Sequence, residues 1–231
     1  MNNKTIAIHQ PNYIPWLGYF YKIWQSDIFV FLDDVQFTNE GMQNYHYIKT
    51  PQGPLRLKIP VKQSFGDTID KVTIRHELDW AKKHLKTIEM NYKKSTFFDE
   101  IYSDIKSVII DGHQNLASLD IAIIELICSK FNIKTSFILS SKLEIPTLRE
   151  EKILDICNTL HATVYYSGTG AKAYQSEKNF SDRGIELRYS SFKPFEYPQL
   201  WGPFQSNVTI LDYLMNCGYD WDRVVQNQNI K

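Results

Sequence analysis

Residues 8–20, IHQPNYIPWLGYF, gather one imidazole (His9), two carboxamides (Gln10, Asn12) and the rings Tyr13, Trp16 and Tyr19 in a short corner. Histidine titrates near neutrality, so His9 is a candidate general base or hydrogen-bond donor. Pro11 and Pro15 fix φ and remove two backbone donors, which suits a preformed pocket and equally any tight turn. Asp33 and Asp34 form a second group. Paired acids there can hold a metal or a substrate amine, or cap the following turn. Gln36, and the pair Gln43 and Asn44, follow with amide hydrogen-bonding capacity, and Lys49 follows them. A third group, YYSGTGAKAY, offers Ser167, Gly168 and Tyr174 as binding candidates. Its glycines could let backbone N–H groups cradle a phosphate, or simply turn the chain into a helix. The spacing is neither GxGxxG, since Ala173 stands at the third glycine, nor GxxxxGK[ST].

The elements that must position these groups follow from hydrophobic periodicity. A strand is expected over residues 5–8, a helix over 18–25 and a buried strand, IFVFL, over 28–32: one βαβ unit. Residues 44–75 alternate and break at Pro51-Gln52-Gly53-Pro54, which predicts two or three antiparallel strands forming a ribbon insertion. Residues 78–131 read as three helices. Trp80, His84, Ile88 and Tyr92 recur every four residues on the first, which makes His84 structural rather than catalytic. Ser118 is a candidate start residue for the third. KTSFILSS, TLREEKILDICNTLH and ATVYYSG give strand, helix and strand again, with Thr147 and Glu150 at capping-box spacing. GIELRYSSF is a further strand, and TILDYLMNCG a short helix stopped by Gly218. The fold expected is α/β, Rossmann-like, with a mostly parallel sheet, a small antiparallel ribbon and an inserted helical segment, as one domain over 1–231. Its strands end in polar corners at His9-Gln10, Asp33-Asp34, Ser140-Ser141 and Ser167-Gly168, expected to line one crevice.

With 26 basic and 26 acidic residues among 231, the chain lacks the cationic field that non-specific nucleic-acid or anionic-membrane binding requires. Cys128, Cys157 and Cys217 are widely spaced, and the N-terminal apolar run is too short for an export signal, so a reducing, cytoplasmic setting is expected. No apolar stretch is a membrane span. The six histidines lack zinc spacing, and HExxH and GxSxG are absent, so no metal is expected.

The segments IHQPNYIPWLGYFYKI, SDIFVFLDDVQF, QNYHYIK, LKIPV, SKFNIKTSFILSSKL, YYSGTGAKAYQ, GIELRY and TILDYLMNCG together resemble the WbqC-like family of bacterial proteins. The likeness spans nearly the whole chain and is most specific at the QPxYxPWxGY core. Where that family usually has an arginine after its QN pair, this chain has Tyr45 and His46. The resemblance implies work among bacterial surface-polysaccharide genes: transfer of a glycyl or related acyl group onto an amino sugar or nucleotide-linked amino sugar. An acyl thioester would be the donor, with an acyl or aminoacyl carrier protein as the expected partner. Under that expectation His9 or Asp34 takes the amine proton. Gln10, Asn44 or the Gly168 backbone faces the oxyanion, and Tyr13, Trp16 and Tyr19 stack on sugar or base. The opening is also similar to HIGH-motif nucleotidyltransferases, but Trp16 and Tyr19 stand where those enzymes carry cationic histidines. A nucleotidyl-transferring or activating enzyme and a non-catalytic sugar- or nucleotide-binding protein are the alternatives.

Overall fold

The computed structural model describes residues 3–39 and 41–228. The first two residues of the N-terminal run, residue 40 and the last three of the 1–231 span lie outside the described residues. In chain order the elements are β1 (Thr5–His9), α1 (Leu17–Trp24), β2 (Ile28–Phe31), β3 (Tyr45–Thr50), β4 (Gly53–Lys58), β5 (Val61–Lys62), β6 (Thr73–Ile74), α2 (Trp80–Tyr92), α3 (Phe98–Ile109), α4 (Leu116–Lys130), β7 (Ser136–Leu139), α5 (Arg149–Thr159), β8 (Val164–Ser167), α6 (Glu177–Ser181), β9 (Glu186–Tyr189), α7 (Ile210–Cys217) and α8 (Trp221–Gln228). They divide into two compact units.

The first unit comprises residues 1–10, 18–35 and 133–192. It holds a five-stranded sheet in the order β7-β2-β1-β8-β9, parallel at every pairing. Counted within the sheet this order is 3-2-1-4-5, the first five positions of the doubly wound order 3-2-1-4-5-6. The apolar runs TIAIH and IFVF take the centre because both faces of a parallel sheet are covered. One face packs Ile6, Ile8 and Val30 with Leu154, Cys157, Tyr165 and Phe180. Phe29, Phe31 and Phe137 pack ring to ring, with Phe31 and Phe137 stacked at 5.3 Å.

The second unit comprises residues 11–17, 36–132 and 193–231. Here β3 and β4 pair antiparallel through a two-residue turn, with Gly53 at φ 107°, and β5 pairs with β6. The every-fourth pattern of α2 is realised: Trp80, His84, Ile88 and Tyr92 are all buried. Gly218 ends α7 at φ 69°, where a Cβ would lie 2.9 Å from the Phe97 ring, so glycine is required there.

Two helix starts differ from expectation. The α4 cap is Asn115, whose side chain accepts the Ser118 N–H; the hydroxyl of Ser118 instead donates to the Asn115 carbonyl. No capping box forms at α5. The Thr147 hydroxyl is drawn to Asp155, and Glu150 accepts from the Ser176 N–H and the Asn179 amide. At α5 the donors of Ser176 and Asn179 outcompeted the local pairing of Glu150.

Candidate functional site

The strand order puts the topological switch point between β1 and β8, since the connections leaving them run to opposite sides of the sheet. Their pairing stops at Ala7↔Tyr166, whereas β1 stays paired with β2 to His9↔Phe31 and β8 with β9 to Ser167↔Tyr189. The two strands therefore part at their carboxyl ends. The Leu32 N–H donates to the His9 carbonyl, which faces β2. Successive carbonyls alternate in direction, so that of Ile8 faces the gap towards β8. Lys22, reaching back from α1, donates to it through Nζ at 2.7 Å and is only 4% exposed. Among the described residues Lys22 makes no ion pair. Burial lowers its pKa to about 7.

His9 stands at the same strand end. Its Nδ1 lies 3.0 Å from the Gln10 carbonyl oxygen, which can only accept, so Nδ1 carries the proton and Nε2 keeps a lone pair. The Tyr19 hydroxyl donates to the same carbonyl at 2.9 Å, and its ring meets the imidazole edge-on at 4.9 Å. Burial first, then the nearby Lys22 charge, lowers the His9 pKa to about 3, so the ring is neutral at physiological pH. On the other lip, the Ser167 hydroxyl donates to Gln175 Oε1 at 2.9 Å. Gly168 has ordinary extended φ, and a Cβ there would meet nothing within 4 Å. The following turn is a short 3-10 segment, Thr169–Ala171, and Tyr174 beyond it is 75% exposed.

The acidic pair closes the neighbouring corner. Asp33 Oδ1 accepts from the Ser140 hydroxyl at 3.0 Å and the Ser141 N–H at 2.9 Å, and Oδ2 accepts from the Ser141 hydroxyl at 2.7 Å. Asp34 accepts from Ser140 and from Lys152 Nζ, the latter at 2.8 Å. Both carboxylates thus tie the end of β2 to the turn after β7. His9, Gln10, Tyr19, Asp33, Asp34, Ser167, Gly168 and Tyr174 all belong to this first unit.

The other expected residues fall in the second unit. Residues 11–17 are pinned there: the Thr209 hydroxyl donates to the Ile14 carbonyl at 2.6 Å and the Ile210 N–H to that of Pro15 at 2.9 Å. Asn12 is buried and Trp16 half-buried. Tyr13 donates to His84 Nδ1 at 3.0 Å, and His84 Nε2 donates to the Lys58 carbonyl at 3.2 Å. Gln36 is exposed on a β-bridge to Thr68. Asn44 Nδ2 is taken by the Ile59 carbonyl at 3.0 Å. Lys49 Nζ donates to Gln199 Oε1 at 2.9 Å and to the Pro203 carbonyl at 2.6 Å, gripping the segment before α7.

A family model described as the WbqC-like protein family matches residues 10–223. The chain belongs to the WbqC-like family. It is 36% identical over 219 residues to an uncharacterized protein of Mycobacterium tuberculosis, Rv1507c, covering 93% of this chain and 94% of that relative. No solved structure matches it.

In this WbqC-like chain the geometry adds groups that the corner motifs did not mark. Lys22 sits in an amphipathic helix and reads as surface charge until β1 parts from β8. Lys152 reads the same way on α5. Asp212 is fully buried on α7, accepts from the Tyr92 hydroxyl at 3.0 Å, and leaves Oδ1 without a hydrogen-bond partner among the described residues. Burial raises its pKa to about 6, against the opposing phenols of Tyr92 and Tyr197. The thiols of Cys157 and Cys217 are pushed up to about 12 and about 11 by burial, so they are protonated at neutral pH. Among the described residues no three histidine, cysteine or acidic side chains gather to hold a metal, and no helix is long and apolar enough to cross a membrane.

Proposed function

We propose that this WbqC-like protein is an N-acyl or aminoacyl (glycyl-type) transferase. Its acceptor is an amino sugar or nucleotide-linked amino sugar of bacterial surface-polysaccharide (O-antigen) biosynthesis, and it works in the cytoplasm. The observation carrying this reading is the His9 tautomer at the switch point: Nδ1–H is held by a backbone carbonyl and Nε2 keeps its lone pair beside the parting strands. Switch points of parallel sheets are where nucleotide-bearing ligands bind. In the step proposed, the neutral sugar amine attacks the carbonyl carbon of an acyl thioester. The C–N bond forms, His9 Nε2 takes the amine proton, the C–S bond breaks, and the departing thiolate receives that proton. Gln10 and the Gly168 N–H are the proposed oxyanion donors, and Ser167 a substrate contact. Asp34, engaged by Lys152, orients the corner.

A second reading is favoured by the low basicity of His9. An imidazole held at about 3 is a good hydrogen-bond acceptor and a weak proton acceptor. A non-catalytic nucleotide-sugar-binding protein would use Nε2 in this way. The test is incubation with UDP- and TDP-linked amino sugars and acyl thioesters, followed by mass spectrometry. An acyl mass increment that His9→Ala abolishes supports the transferase. Tight binding of the nucleotide sugar that His9→Ala weakens, with no increment from any donor, supports the binding protein.

A further inference from the structure

In the second unit, α2 and α3 border an open groove of about 530 Å³ that neither the strand-end corners nor the buried polar contacts use. Its floor is apolar: Trp80, Leu85 and Ile109 are buried side chains, and Tyr102 and Ile110 rise along the α3 side. Its borders are cationic, with Lys82 and Lys86 from α2 and Lys106 from α3. A second depression continues along the same helix past Met90, which is 70% exposed, to Lys93, Lys94 and Trp201. The Trp201 indole is fastened to α2 through the Asn91 carbonyl at 2.9 Å.

The charge on this face is lopsided. Residues 80–94 carry five lysines against the single acid Glu89, in a chain whose net charge is zero. Glu89 is already held by Lys86 at 3.2 Å and approached by Lys93 at 3.9 Å. Asp79, at the start of α2, is the other acid bordering the groove. Lys82, Lys94 and Lys106 make no ion pair among the described residues. An apolar trough along a thirteen-residue helix, about 20 Å long and edged by unpaired cations, has the form that receives an amphipathic helix with an acidic rim.

We propose that the α2–α3 groove docks an acidic acyl carrier protein through one of its amphipathic helices. This rests on the acyl-transfer reading for the choice of partner: a carrier presents its acyl group as a thioester on a flexible arm. Carboxylates of the docking helix would pair with Lys82, Lys94 and Lys106, and its apolar stripe would cover Leu85, Tyr102 and Ile110.

The test titrates the full-length protein into isotope-labelled bacterial holo-acyl carrier protein, followed by NMR. A parallel assay measures transfer from the acyl-loaded carrier and from a small acyl-pantetheine thioester. The expected result is saturable binding centred on one acidic helix of the carrier. It weakens by about tenfold or more in the Lys82→Glu/Lys106→Glu variant and falls with added salt, while transfer from acyl-pantetheine is unchanged. The exposed lysines leave the fold intact, which circular dichroism checks. No carrier binding, or binding indifferent to the charge reversal, overturns the docking proposal. So does binding of a polyanion or of anionic vesicles in place of the carrier. Carrier binding without transfer from either thioester defeats the acyl-transfer reading and leaves the docking surface standing. Transfer from acyl-pantetheine without carrier binding does the reverse.

Discussion

Lys152 Nζ lies 2.8 Å from Asp34 Oδ2, with the lysine side chain 4% exposed and the aspartate 19%. The same Nζ donates to the Ile145 carbonyl at 2.7 Å, so the ammonium is enclosed by acceptors. The pair joins α5 to the polar corner after β2, and it makes Asp34 an anchored group rather than a free base.

Removing one partner leaves a buried, uncompensated charge. Asp34→Ala is expected to destabilise the protein by about 3 kcal/mol. Asp34→Ala/Lys152→Met, which removes both charges, should recover a large part of that loss. Urea unfolding of the single and double variants measures both. Equal losses in the two would show that the ion pair is not what holds the corner.

Lys22 is buried with one carbonyl as its partner, and its folded pKa of about 7 lies below the usual lysine value of 10.5. A depressed lysine pKa means the unfolded chain binds more protons between those limits, so stability rises with pH through that window. Below about pH 7 the folded protein carries the full cost of the buried charge. Lys22→Met should therefore be more stable than the wild type at pH 6, by about 1–3 kcal/mol, with the difference shrinking towards pH 10. Thermal melts across that range read it. If Lys22 also supports the switch-point chemistry, the variant loses activity while gaining stability.

His9 is expected to remain neutral, protonated at Nδ1, down to about pH 4, since its pKa is near 3. Imidazole nitrogen shifts in a labelled sample report both charge and tautomer. Lys22→Met removes the nearby charge and should raise the His9 pKa, leaving the burial contribution in place. A histidine that titrates near 6.5 in the wild type would overturn the expected neutrality, and a neutral ring protonated at Nε2 would break the proposed tautomer lock.

Asp212 carries the opposite sign. Its folded pKa of about 6 exceeds the ordinary carboxylate value of 3.8, so its contribution to stability is fully present below pH 3.8 and lost as pH rises through 6. Asp212→Asn keeps an acceptor for the Tyr92 hydroxyl and cannot ionise. Relative to the wild type it should gain about 1–3 kcal/mol between pH 4 and pH 7. Chemical denaturation at those two pH values decides it, and a constant difference would place the Asp212 titration elsewhere.

Much of the architecture is legible in the sequence because burial writes itself as periodicity. TIAIH and IFVF announce central parallel strands, the every-fourth spacing of Trp80, His84, Ile88 and Tyr92 announces α2, and Pro51-Gln52-Gly53 announces the hairpin turn. The short helix Glu177–Ser181 and the last helix, Trp221–Gln228, leave a fainter trace, being brief and polar on most faces. The local caps misled at Ser118 because the neighbouring Asn115 takes the capping position, and at Glu150 because distant donors hold its carboxylate.

The candidate site divides the same way. Chain order alone determined that polar corners follow β1, β2, β7 and β8, since each apolar run ends in hydroxyl, amide or acid residues. It could not determine which strands are neighbours. The crossover through α5 carries the chain from β7, at one edge, to β8 beside β1, and only that placement creates the switch point. Pairing across long sequence separations also decided that Lys22 would fill the gap beside Ile8 and that Lys152 would meet Asp34, 118 residues away. Periodicity reports which face of an element is buried. Which element buries it, and which buried charge finds which acceptor, is settled by packing the whole chain at once.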